Sequence, residues 1–498
     1  MQAEVAIVGY GPTGASLANL LGQAGFRVLV YEREAAVYPL PRAIHFDGEV
    51  MRVFHSMGLQ TEIEAVTRPG NKNMDFVNAR NQVMLTRSGA NLNGPHGCAN
   101  NHYFHQPELE AALRRGVARF AQVQVKLRHE VFAIARHADH AVLSVENMAN
   151  GSLAEVAVRY VVGCDGARSL VRRLMGSTME DLGLHQPWLV FDAILKRPVP
   201  HLPDRTVQHC DPSRPMTYCN VMPERRRWEI MVMPGDDIQT IARLENVWKL
   251  LDRWITPEDA DIERAVVYTF HSILARGWHR DRLMIAGDAA HQTPPFLGQG
   301  MCAGIRDAAN LAWKLAAVLR GEAHDSLLDT YESERLPHVR AFIDLAVRLG
   351  DIIQTTDPAV AAERDRKFAE SPEVFSFPQP GLGPGTLCAG TPHAGSIFPQ
   401  PRLADGRMLD AMLGAGFGLL VRPGLEIGTP SCTAPIIVVG AQAGDALDTA
   451  LGKLGVAAVL LRPDRYIFGT ARDVAGALQL VRELEARIAR PQPVAEAA

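Results

Sequence analysis

Residues 3–32 restrict this chain more than any other stretch. Residues 3–8 form a short apolar run with Val5, Ile7 and Val8, suited to a strand buried in a parallel sheet. Gly9, Gly11 and Gly14 follow as G-x-G-x-x-G, with Pro12 and Thr13 between them, and residues 15–24 read as a helix. The first glycine permits a tight turn, the second lets a pyrophosphate approach the backbone, and the third draws helix and strand together. The start of the helix offers unpaired N–H groups and a partial positive charge to phosphates. A second apolar strand, residues 27–31, ends at Glu32, 18 residues past Gly14, where an acid can grip a ribose hydroxyl. Arg33 follows it. Strand, glycines, helix and acid together predict a Rossmann-like unit that holds a dinucleotide.

At 498 residues the chain has room for about three domains. Its net charge of −4 provides no broad basic field for nucleic acid. No apolar run reaches the ~18 residues of a membrane span. The N-terminus, with Gln2, Glu4 and the phosphate loop, reads as structure and not as a signal peptide. Seven cysteines (98, 164, 210, 219, 302, 388 and 432) never form C-x-x-C. Their scatter fits reduced thiols in a cytoplasm and argues against a zinc site or a dithiol redox centre.

The pattern along the chain implies an α/β protein in several parts. Residues 1–180 read as the first part of the nucleotide-binding domain, interrupted near 70–100. Within it, 101–120 reads as a helix with Gln106, Leu109, Leu113 and Val117 on one face and Glu110 and Arg114 toward water. Residues 181–274 change character, with β-rich stretches at 228–233 and 265–270, and are expected to form an inserted sheet domain. Residues 275–374 return to the first domain through a helix at 301–320. The Pro/Gly-rich run 375–399 reads as a linker. Residues 400–490 form a smaller α/β unit with strands near 417–421, 435–439 and 457–461.

Two further motifs complete the pattern. Cys164-Asp165-Gly166-Ala167-Arg168-Ser169 closes an apolar strand at 160–163, and AGDAAHQTPPFLGQG at 286–300 follows another at 283–286. With G-x-G-x-x-G, with PRAIHFDGEVMR at 41–52 and with FHQPELEAALR at 104–114, they resemble the group A FAD-dependent aromatic hydroxylases. This is the para-hydroxybenzoate hydroxylase-like superfamily. The likeness is greatest to the branch of 3-(3-hydroxyphenyl)propionate, phenol and polyketide hydroxylases, and covers roughly residues 3–350. Family members carry P-P-x-G-G-Q-G-M-N after their G-D motif. Here Leu297 stands in place of a glycine and Cys302 in place of the asparagine.

The resemblance implies FAD as cofactor and NAD(P)H and dioxygen as co-substrates. Reduced flavin would form a C4a-hydroperoxide whose distal oxygen is attacked by an electron-rich aromatic ring. It implies flavin contacts from Arg42 and Gln106, from Gly287 and Asp288, and from Pro295, Gly298, Gln299, Gly300 and Met301, with Pro295 also a catalytic candidate. Asp165 is expected in both FAD and NAD(P)H binding. The helix at 301–320 should aim its positive end at the anionic edge of reduced flavin. On the substrate side the candidates are His209, Tyr218 and Arg226 in the inserted sheet, the last as a partner for a carboxylate, and His45 after the second strand.

The tail, with VLLRPDRYIFG at 459–469, resembles the thioredoxin-like C-terminal domain of the phenol hydroxylase branch. It has no C-x-x-C, so a packing or homodimerisation role is expected in place of thiol chemistry. A halogenase would carry W-x-W-x-I-P, which is absent. A membrane ubiquinone hydroxylase fits the early motifs but not the tail. Polyketide-tailoring or antibiotic-inactivating hydroxylation and a non-catalytic flavin scaffold are the remaining alternatives.

Overall fold

A computed structural model describes residues 2–428 and 430–489. The central run of the first sheet is parallel, with strands Val123–Leu127, Val28–Glu32, Ala3–Val8, Ser152–Gly163 and Leu283–Ile285 side by side. Val5, Ala6 and Ile7 are fully buried, as expected of a strand covered on both faces. Helix Pro12–Gln23 leaves the carboxyl end of Ala3–Val8 and packs on helices Gln106–Val117 and Gly300–Leu319. Gly9 has φ +100°, and a Cβ there would collide with the Cys164 carbonyl. The turn at 9–14 and the turn at 163–166 therefore close on each other with no room for a side chain.

A nine-stranded sheet forms the second layer. Its middle strands are Thr178–Leu195, Arg225–Met231, Met216–Asn220 and Val207–His209. It also recruits Met74–Val77 and Val83–Arg87 from the early chain, Ala260–Arg276, His291–Gln292 and Glu373–Phe375. Thr178–Leu195 and Ala260–Arg276 pair along almost their whole length and run from one layer into the other. One face packs Leu189, Phe191, Tyr218, Trp228 and Ile230 against helix Leu244–Leu251. The other face looks toward the first layer.

Beyond residue 400 a four-stranded sheet has the order Ile436–Gly440, Phe417–Val421, Ala458–Leu461, Ile467–Ala471. The first pair is parallel and the other two are antiparallel. Helices Ala446–Leu454 and Val474–Ala489 follow the strands. Residues 375–399, expected as a linker, are folded against the body. Phe375 pairs with Arg87, and Ile397 bridges Tyr466.

The helix expected over 101–120 is shorter than its apolar pattern suggested. Asn101–Phe104 is a strand, and the helix begins at Gln106, with Pro107 in its first turn. Glu110 is not in water either. It is 3% exposed and accepts a hydrogen bond from Gln106 Nε2 at 2.7 Å. Arg114 lies over the Tyr10 ring and donates to the Tyr10 carbonyl. No helix of the described residues is long and apolar enough to cross a membrane.

Candidate active site

Between the two layers lies a cavity of about 390 Å³. At one end it meets the first glycine turn, the 166–167 turn, and the segment from Ala286 to Met301. A Cβ at Gly11, Gly166 or Gly300 would meet nothing within 4 Å, so all three present bare backbone to the cavity. Asp288 is exposed while residues 283–287 and 289–290 are buried, and among the described residues it bonds to none. Helix Gly300–Leu319 has no side-chain cap at its start, which leaves its first N–H groups free for a ligand. Pro12, Thr13, Pro295, Gly298 and Met301 line the same space.

Other residues singled out by sequence take supporting places. Gly14 packs against the Gly9 carbonyl, and Gly287, at φ +64°, lies under Thr13. Glu32 accepts from the N–H groups of Tyr10 and Glu34 at 2.8 and 2.9 Å, so it clamps the glycine turn; Arg33 points outward and pairs with Glu34. Arg42 lines the cavity beside Gln106, whose Oε1 accepts from the N–H groups of Arg42 and Ala43. The Gln106 amide is thereby spent on the protein at both ends. Gln299 is buried and turned to Arg306, at 3.1 Å. Asp165 caps helix Leu170–Met175 through two N–H groups, and its other oxygen is buried without a partner.

The far wall is the inner face of the nine-stranded sheet, and here the sequence reading is displaced by one residue. Gln208, Thr217, Cys219, Arg227 and Glu229 line the cavity, whereas His209, Tyr218 and Arg226 do not. His209 packs against Trp254, and burial holds its pKa down at about 4. Tyr218 donates to the Pro203 carbonyl from within the apolar cluster. Arg226 turns its Nη1 to the carbonyls of Met222, Pro223 and Arg225. Strand side chains alternate, so an error of one position reverses the face. Trp228 and Ile230 carried the missing signal. As the apolar members of their strand they mark the core face, which sends Arg227 and Glu229 together to the other.

This wall is charged yet buried. Arg227 donates to Asp192 at 2.7 and 3.0 Å and to the carbonyls of Arg42 and Pro41. Among the described residues the Glu229 carboxylate accepts no hydrogen bond and has only Arg227 at 3.8 Å, and burial raises its pKa against the pull of Arg227. His45 lines the cavity next to Gly298, and burial and the Arg87 charge lower its pKa to about 4. Leu297 is 1% exposed in the apolar rim with Phe296 and Leu184, so the glycine-to-leucine departure fills space beside the cavity. Cys302 is buried and faces the Gly298 carbonyl at 3.6 Å.

A family model described as an FAD binding domain matches residues 2–346. The chain belongs to the FAD-dependent aromatic hydroxylases. Relatives within this family include a probable NADH-specific resorcinol 4-hydroxylase of Rhodococcus jostii. It is 36% identical over 98% of this chain and 95% of that protein. A 3-(3-hydroxy-phenyl)propionate/3-hydroxycinnamic acid hydroxylase of Mycolicibacterium gilvum is 37% identical over 84% of this chain and 75% of its own. Among solved structures, the flavin-dependent monooxygenase PieE with FAD and substrate has a TM-score of 0.84 at 21% identity, covering 98% of this chain and 99% of that one. Aklavinone-11 hydroxylase with FAD and aklavinone has a TM-score of 0.83 at 22% identity, covering 97% and 99%. These structures share the hydroxylase fold. The residues present fit FAD: three bare-backbone glycines, an unpartnered carboxylate at Asp288 and an uncapped helix start face one space.

Proposed function

We propose that this protein is an NADH-dependent FAD monooxygenase that hydroxylates a small phenol with a second polar substituent, of the resorcinol kind. One observation carries the reading: the bare-backbone nucleotide end and a wall of hydrogen-bonding side chains share a single cavity. Similarity to the resorcinol hydroxylase over nearly both full lengths supports the substrate class and NADH.

FAD, when bound, supplies hydride acceptance and dioxygen activation. The chain would supply binding, orientation and exclusion of water. Gly11 and its turn would receive the pyrophosphate, and Asp288 would accept from ribityl or ribose hydroxyls. Glu32 has lone pairs left for the adenosine ribose. The start of helix Gly300–Leu319 would face the electron-rich pyrimidine edge. Pro295, Leu297 and Phe296 would keep water from the reacting edge. Gln208, Thr217 and Glu229, in one row across three strands, would read the ring substituents. Arg42 and the Asp165 turn border the path along which NADH would approach. We read residues beyond 400 as thioredoxin-like without its dithiol. One parallel and two antiparallel pairings around Phe417–Val421 and Ala458–Leu461 support this.

The test is NADH oxidation by the FAD-loaded protein with resorcinol, 3-(3-hydroxyphenyl)propionate or a polycyclic polyketide, with product mass recorded. The expected result is that resorcinol-type phenols stimulate oxidation most and gain one oxygen. Faster turnover of the polyketide would overturn the substrate class. Stimulation by none of the three, with FAD bound, would overturn the reading.

A further inference from the structure

Nine arginines of the described chain are buried: 52, 87, 227, 264, 306, 335, 364, 462 and 465. Eight of them have a carboxylate oxygen within 4.0 Å. Arg87 has none. Its Nη2 reaches Asn101 Oδ1 at a long 3.3 Å, its Nε has no hydrogen-bond partner, and its guanidinium lies 4.3 Å from the Phe377 ring centroid. It is 2% exposed and lines the cavity. A guanidinium cannot shed its charge as a lysine can, so burial without a counter-ion is costly unless a ligand supplies the anion.

No neighbour supplies that charge. The titratable groups that act on Arg87 are Tyr103, Asp47, Cys219 and His45. Asp47 is taken by Arg306 at 2.5 Å. The Tyr103 hydroxyl pairs with Thr206 Oγ1, and burial drives the Cys219 thiol up, so it stays protonated. His45 is neutral, and its tautomer can be deduced. Asn101 Nδ2 donates to the Gly89 carbonyl at 2.7 Å, which makes Asn101 Oδ1 the acceptor. His45 Nε2, at 2.9 Å from that oxygen, must then carry the hydrogen. Its Nδ1 is left as a bare lone pair beside Gly298, where a Cβ would stand 3.1 Å away. Asn101 therefore holds a cation and an acceptor side by side at the Pro295–Gly298 turn.

We propose that Arg87 is the seat for an oxyanion of the aromatic substrate, with His45 Nδ1 beside it to accept from a second ring hydroxyl. The proposal rests on the reading above that the cavity takes an aromatic substrate. For a phenol, the O–H bond breaks on binding, the electron pair stays on oxygen, and the proton leaves to water. The resulting phenolate is the more nucleophilic ring. A carboxylate arm would satisfy the same guanidinium.

The experiment uses 4-nitrophenol as an optical probe of ionisation, bound to the FAD-loaded, oxidised protein without NADH. The ratio of ionised to neutral probe should be about tenfold or more higher for bound than for free probe at the same pH. The gain should vanish in R87M and survive in part in R87K, with retained flavin absorbance reporting that each variant is folded. Equal ionisation of bound and free probe in the wild-type protein would overturn the seat, as would a gain unchanged in R87M. If 3-phenylpropionate displaces the probe from wild type but not from R87M, the seat also takes a carboxylate. Failure of the broader reading looks different: probe ionisation on Arg87 would persist while no phenol stimulates NADH oxidation.

Discussion

At the seam beneath the C-terminal unit, each buried charge meets an opposite one. Glu334 accepts from Lys314 Nζ, Arg462 Nη2 and Asn310 Nδ2 at 2.7–2.9 Å, and Asp464 accepts from Arg462, Asn310 and Trp313. Asp410 holds Arg52 and Arg465. In the cavity wall, Arg87 has one long hydrogen bond and Glu229 has none. Both regions are buried and charged. The difference is completeness: a buried charge satisfied by its own chain holds structure, and one left short is set for a molecule from outside.

The largest expected effect lies at the seam. R462M should lower stability by about 3–5 kcal/mol, because it leaves Glu334 and Asp464 short of their shared cation. R87M in the protein without substrate should lower it little or not at all. Denaturant titration of both decides this, and equal losses would break the comparison.

Glycines offer the same contrast. A Cβ on Gly304 would press on Thr13 Oγ1 and lie 3.0 Å from Gly287 Cα, so G304A should cost about 1–3 kcal/mol in stability. G11A meets no protein atom and should leave the fold intact while weakening FAD retention. Calorimetry beside flavin content separates the two.

Acid should loosen the seam next. Burial alone would raise the Glu334 carboxyl, but Arg462 and Lys314 outweigh it and hold its pKa at about 2. Its folded pKa lies below the unfolded value near 4.3, so its contribution is whole above that value. It is lost as pH falls from there through about 2. The acid limb of the stability profile should flatten over that range in E334Q.

The smallest pair probes the two faces of one strand. Q208A should raise KM or lower turnover several-fold with little change in melting temperature. H209A should do the reverse, since its ring packs on Trp254. Matching steady-state kinetics for the two would remove the one-residue register from the account.

The glycine turn, the helix starting at Gly300 and the strands of the tail were readable because each is a local pattern with its own period or turn chemistry. Burial of Glu110 was not, since it depends on Gln106 turning its amide inward to serve Arg42 and Ala43. Nor was the isolation of Arg87, a property of what eight other arginines have and it lacks. The Arg52–Asp410 pair joins residues 358 apart, and no window of sequence contains it. His45 was set at the cavity, whereas His209, Tyr218 and Arg226 were set in the right sheet but on its other face.

Helix Gly300–Leu319 starts at the flavin end of the cavity and, ten residues on, gives Asn310, Trp313 and Lys314 to the seam. For protein engineering, the C-terminal unit is thus no interchangeable cassette. A tail grafted from a relative must bring an acid and an arginine to the places of Asp464 and Arg462, or the recipient's helix must be rewritten with it. Because that helix also opens onto the cavity that fits FAD, a mismatched graft should be read out in flavin colour before any loss of secondary structure.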